Sequence, residues 1–358
     1  MEHIRERLRE AINKDRKEQR EVMVNKNRPA LGECIENASY STEFVVEMAK
    51  KLRKKTLSVN DYRRLQNALI QTEKNIEAFL KVDQIIFALG RDISGSNPML
   101  QLSAVNCCCN ISLSNAKACT VIAKHLSPYL IAECETLNRP LLEVCLWTIG
   151  NLSNGTKKAF EILHAQGCMQ YIICLMHEYD NTILPSVIYA ALHCIYRGFS
   201  LITESEFVEL AEACRKRNLF ETDSDTLWLL ALLSSNAVCS NSLYYVLPSI
   251  VDFLHLSVLN HFSNTVLSAA CIRILANILC NAPEEIVNIF LDNPKYSQLD
   301  VQVLLNGLLS HYQNHIRKET LWLLGNLCNH ISPNVNRKMQ DIIPFLSPLE
   351  QIITSTIV

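Results

Sequence analysis

The chain has 358 residues, a net charge of −2, and 49% apolar against 20% charged residues. The near-neutral charge gives no global argument for a nucleic-acid or membrane-surface partner. Nine glycines are too few for an all-β protein rich in tight turns, and the length allows two or three ordinary domains or one elongated array.

Residues 1–28 differ from everything that follows: nine Lys/Arg stand against six Asp/Glu, with few apolar positions. Such a segment is helical through i,i+4 pairs or a solvated tail, because it has no wide face to bury. Pro29 to Tyr40 reads as a linker, and a basic cluster follows at Lys50, Lys51, Arg53, Lys54 and Lys55. Without interleaved aromatics that cluster is a solvated helix end rather than a nucleic-acid site. Residues 29–58 are thus a linker with a basic helix.

From residue 59 onward helical periodicity dominates, and one phrase occurs twice. It is Leu-Trp-Thr-Ile-Gly-Asn-Leu at 146–152 and Leu-Trp-Leu-Leu-Gly-Asn-Leu at 321–327. Aligning other helical runs on this phrase places the Trp147 position at 106, 147, 193, 228, 273 and 322, an average spacing of about 43 residues. That is the period of HEAT and armadillo repeats, whose successive units bury a continuous core. The residues between two such positions divide further. Lys157 to Gln166 forms one short amphipathic helix, Gly167 breaks it, Cys168 to His177 forms a second, and Thr182 to Phe199 a third and longest. Three helices per repeat is the armadillo plan, so the expected fold is all-α: a right-handed armadillo superhelical solenoid over 59–358, of about six repeats plus a partial seventh. The chain stops at Val358 soon after an unfinished repeat, and a longer natural form or a partner covering that end is expected.

No run of 18 purely apolar residues occurs. Leu227 to Cys239 is interrupted by Ser234, Ser235 and Asn236, and the run at 266–280 carries Arg273 and Asn277. Both read as buried helices, so no membrane span is expected. Fifteen cysteines with no C-x-x-C pair, including the adjacent Cys107, Cys108 and Cys109, read as reduced core thiols of a cytosolic or nuclear chain. The ten histidines form no H-E-x-x-H, and no nucleophile elbow, P-loop or Rossmann pattern is present. The residues therefore nominate no catalytic group, metal or cofactor.

At the repeated phrase the chain resembles the armadillo family and, within it, the importin-α adaptors, whose third helices carry E-x-x-x-W-x-x-x-N. Glu143, Trp147 and Asn151 fit that pattern, and Glu319, Trp322 and Asn326 form a near copy. The segment from Asp15 to Arg28 is similar to an importin-β-binding segment with a less dense basic end at Lys26-Asn27-Arg28. The combination looks most like the divergent group called transmembrane and coiled-coil domain-containing protein 6. The resemblance implies a non-enzymatic adaptor of nucleocytoplasmic protein transport, present in cytoplasm and nucleus. It also implies that Arg16, Lys17, Arg20, Lys26 and Arg28 bind an importin-β-type carrier or fold back as a pseudo-ligand.

Trp and Asn four apart share one helical face. If third helices stack in parallel, these faces line one groove. An Asn amide there can pair with the N–H and C=O of an extended peptide, and flanking indoles can sandwich a Lys or Arg stem. Candidate groove residues are Trp147, Asn151, Trp322, Asn326, Asn110 and Asn277, with Glu143 and Glu319 as carboxylates for the charged end. The alternative for each indole is packing between repeats, and for each carboxylate a pair with a neighbour on its own helix. Only two of six repeats hold the full pair: Asn106 precedes Asn110, His193 and Arg197 replace both, Leu232 follows Trp228, and Arg273 precedes Asn277. A continuous ladder for a basic peptide is therefore not expected, and a general interaction scaffold that has lost signal recognition is the alternative function.

Overall fold

The computed structural model describes residues 39–136, 138–177, 181–260 and 264–346. The expected carrier-binding residues Arg16, Lys17, Arg20, Lys26 and Arg28 lie outside the described residues, as do most of the expected linker and the chain end. Packing divides the chain between Ser41 and Thr42, and the description concerns the second unit.

Among the described residues every regular element is helical. They are α1 (Thr42–Lys54), α2 (Val59–Gln71), α3 (Glu73–Leu80), α4 (Ile85–Ile93), α5 (Pro98–Ile111), α6 (Ala116–Ala132) and α7 (Arg139–Gly155). Then come α8 (Lys157–Ala165), α9 (Cys168–His177), α10 (Leu184–Gly198), α11 (Glu204–Lys216), α12 (Ser224–Ser234) and the short α13 (Ser240–Leu243). The rest are α14 (Leu247–Leu259), α15 (Thr265–Leu279), α16 (Glu284–Leu291), α17 (Gln298–Leu309), α18 (Asn314–Cys328) and α19 (Pro333–Ile342).

Helices α2, α5, α7, α10, α12, α15 and α18 form a ladder in which each packs against the next. Six of them are the third helices expected from the repeat spacing, and α2 adds a rung before them. Two shorter helices precede the rungs α5, α10 and α18, which is the armadillo three-helix plan. The division expected between 157 and 199 matches α8, α9 and α10, with Gly167 at φ +85 between the first two, a conformation that costs glycine nothing. Other repeats vary the plan. Helix α6 runs unbroken through Pro128 where two helices would stand, and the single α11 before α12 accounts for the shortest spacing in the series. Helix α1 packs against α2, α3 and α4 through buried Val45, Met48, Ala49 and Leu52, while Lys50, Lys51, Arg53, Lys54 and Lys55 are exposed. The array thus takes in part of the segment expected to be linker and basic helix.

Several rungs start at a polar cap whose side chain accepts a backbone N–H of the first turn: Ser58, Asn97, Asn138, Asp223 and Asn264. Each such bond satisfies a donor the helix cannot satisfy itself, worth about 1 kcal/mol. Once begun, the inner rungs α7, α12 and α15 are buried on most sides. In α15, Leu267 to Ile272, Ile274 to Ala276, Ile278 and Leu279 are all buried. A helix flanked by neighbours on both sides shows weak amphipathicity, which explains runs that read as nearly continuous apolar sequence. The 14 described cysteines are free thiols, and 11 of them are buried. Burial pushes the Cys119 thiol up to about 11 and the Cys134 thiol up to about 12. Among the described residues one run, Ala237–Leu259, is long and apolar enough to cross a membrane by length and composition alone. It is broken into two 3-10 turns, α13 and α14, and half of its most apolar window is buried within the array.

The two copies of the repeated phrase pack differently. A Cβ on Gly150 would meet the Tyr189 ring at 2.7 Å and the Ala190 Cα at 3.4 Å, so α7 and α10 approach closely there. A Cβ on Gly325 would meet nothing within 4 Å. Gly150→Ala is therefore expected to destabilise the fold by about 1–3 kcal/mol through overpacking. Gly325→Ala should be neutral or gain up to about 1 kcal/mol of helix propensity. Urea unfolding of the two variants checks this difference in sign.

Candidate functional site on the third-helix ladder

Each rung presents an uncovered stripe, narrow on α7, α12 and α15 and broader on the end rungs α2 and α18. On α7 the stripe holds Arg139, Glu143, Trp147 and Asn154; on α12, Asp225, Trp228 and Leu232; on α15, Val266, Arg273 and Asn277. Spacings of three, four and seven put each set on one helical face. All three tryptophans of the chain lie on these stripes. Trp147 and Trp228 are half-buried, and Trp322 on α18 is 62% exposed.

The asparagines at the expected peptide-pairing positions are engaged by the preceding rung. Asn110 Nδ2 donates to the Gln66 carbonyl at 2.9 Å, and Asn326 Nδ2 to the Ala276 carbonyl at 2.9 Å. Asn277 Nδ2 donates to Ser234 Oγ at 3.1 Å, and Asn151 Nδ2 to Cys109 Sγ at 3.4 Å. Each of the four bonds joins a rung to its predecessor. Asn151 goes further, since its Oδ1 also accepts the Tyr189 hydroxyl at 2.6 Å and the residue is only 6% exposed. Its amide links α5, α7 and α10 rather than facing a ligand. A buried amide tied at both ends is a strong register device, because leaving either end unpaired costs a desolvation penalty.

The carboxylates differ too. Glu143 is half-buried one turn before Trp147. Glu319 does not pair within its own helix: its Oε1 accepts from Arg273 Nε at 3.1 Å and also from Arg273 Nη2, across from α15 to α18. The same guanidinium lies over the Trp228 ring on α12, with Cζ 5.2 Å from the centroid. Trp228, Arg273 and Glu319 thus link three successive rungs. Arg197, which replaces an asparagine, donates through Nη2 to the Asn154 carbonyl at 2.7 Å, in the last turn of α7, where a cation suits the helix dipole.

Sequence reasoning nominated neither Trp228 nor Arg273 as site residues, although their alignment at the Trp147 position was visible. It missed Asp225 as well. That residue stands three before Trp228, as Glu319 stands three before Trp322.

No protein-family model matches the chain. Among curated proteins it is similar to importin subunit alpha-9 of Arabidopsis thaliana, at 22% identity over 320 residues. The match covers 86% of this chain and spans 60% of that relative's length. Among solved structures it is similar in fold to two engineered proteins of the Northeast Structural Genomics Consortium. One matches with TM-score 0.63 at 16% identity, over 79% of this chain and 67% of that one. The other matches with TM-score 0.53 at 15% identity, over 71% and 97%. The sequence likeness is a distant importin-α-like one, and the structural likenesses concern the fold.

Burial pushes the Asp225 carboxyl up to about 6, with the charge of Asp223 adding to it. A raised carboxyl pKa means the folded state takes up a proton at a pH where the unfolded chain does not. Asp225 therefore costs stability above pH 6, and that cost disappears as pH falls towards 4. Asp225→Asn is expected to stabilise the protein by about 3 kcal/mol at pH 7 and by almost nothing at pH 4. Thermal unfolding of both proteins across that range checks the convergence.

Proposed function

We propose that the chain is a non-enzymatic, importin-α-like adaptor in nucleocytoplasmic protein transport, and that the exposed ladder face is a groove for extended peptide signals. Arg273 carries this reading: its guanidinium, over an indole and held by a carboxylate, is how a basic side chain would sit on this face. The distant similarity to importin subunit alpha-9 supports the same reading.

In this proposal Trp147 and Trp322 form two separate pockets for Lys or Arg stems, with Glu143 beside the first. The amide oxygens of Asn110, Asn277 and Asn326 receive peptide N–H groups, while Asn151 serves as a link between rungs. The arm, through Arg16, Lys17, Arg20, Lys26 and Arg28, engages an importin-β-type carrier or folds back on the groove. Residence in cytoplasm and nucleus goes with that role, and so does membership of the divergent group named above. The second reading, a general armadillo scaffold without signal recognition, draws support from the engagement of Asn151 and Arg273 by the protein itself.

Fluorescence anisotropy of a labelled Lys/Arg-rich peptide with the full chain tests the groove. Trp147→Ala and Trp322→Ala should each weaken binding by about 2- to 30-fold, the value of one cation–π contact, and added salt should weaken it further. Affinity indifferent to both substitutions would favour the scaffold reading. Recovery of an importin-β-type carrier by the full chain, and its loss when the five arm cations are replaced by alanine, tests the arm.

A further inference from the structure

Arg273 stands at the position that Trp147 and Trp322 hold in their own repeats. Its side chain does not extend outward as an exposed arginine would. It lies across the preceding rung's indole at 5.2 Å, and its Nε and Nη2 both donate to Glu319 on the following rung. The carboxylate side chain is only 17% exposed, against 44% for the arginine that covers it. An aromatic face and a carboxylate that one guanidinium can reach together make a recognition site for it, because the cation–π contact and charge-assisted hydrogen bonding act together on it.

We infer that Trp228 and Glu319 form a third basic-side-chain subsite of the groove, and that Arg273 fills it from within as a built-in competitor. The inference rests on the peptide-groove reading and deepens it. The internal guanidinium is tethered, so a peptide arginine must displace a group already at high effective concentration. The subsite is thereby closed to Lys or Arg of an incoming chain, which leaves the Trp147 and Trp322 pockets separated by an occupied stretch. Arg273 acts here as a specificity-determining residue.

The test measures anisotropy of fluorescein-labelled tetra-arginine amide with the full-length chain. Arg273→Ala should bind the peptide roughly tenfold more tightly than the unsubstituted protein, a gain of the size expected for one stacked, ion-paired arginine. Adding Glu319→Gln should abolish that gain, and Arg273→Lys, which keeps a tethered cation, should largely preserve the closure. Arg273→Gln serves as a second opening variant should the alanine disturb folding, and circular dichroism melts monitor both. Equal or weaker binding by both opening variants overturns the inference. If the unsubstituted chain binds the peptide nonetheless, the groove reading survives alone. If only the opening variants bind, the subsite stands and the peptide-adaptor reading of the natural chain falls. If no protein binds, both fall.

Discussion

The structure depends on side-by-side packing of its long third helices. Each rung from α2 to α18 is flanked by the next, so on the inner rungs such as α7, α12 and α15 apolar residues cover most of the circumference and a narrow stripe is left for solvent, while the end rungs α2 and α18 are more open. That constraint explains the composition: an array burying helices on several sides needs many apolar residues and few glycines, and some of those few, such as Gly150, sit where helices approach closely. It also explains why polar residues on the stripes carry information. They stand where packing does not dictate apolar side chains.

Most of those polar residues are first of all connectors. Asn110, Asn151, Asn277 and Asn326 each donate to the rung before, and Arg197 and Arg273 reach neighbouring rungs as well. In a repeat array each repeat contacts only its neighbours, so bonds between adjacent rungs hold the register. Function and stability therefore compete for the same atoms. Trp322 leaves its indole exposed to solvent, whereas at Trp228 a protein cation lies over the ring.

Much of the architecture was legible in the sequence. The Trp/Asn phrase and its spacing located six rungs, and Gly167 separated α8 from α9, because periodicity reports which face of a helix is buried. The first rung was missed because α2 carries no Trp/Asn phrase and contributes the Gln66 backbone carbonyl instead. The unbroken α6 departs from the three-helix plan that the spacing suggests, since the helix continues through Pro128. The candidate site was legible only in outline. Spacing places Asn151 and Arg273 on the stripe, but it does not say which neighbour takes their hydrogen bonds. That depends on the distance between rungs, which residues nearly fifty positions apart set together. The pairing of Arg273 with Glu319 is such a case.

The central claim is that one ladder face presents two indoles open to a ligand and a third covered by the protein's own arginine. The three indole N–H signals in a proton–nitrogen correlation spectrum of the full chain, followed during addition of a Lys/Arg peptide, test it most directly. The account predicts that the Trp147 and Trp322 signals move while the Trp228 signal stays in place. Movement of the Trp228 signal ahead of the other two, or no movement of any, would contradict it.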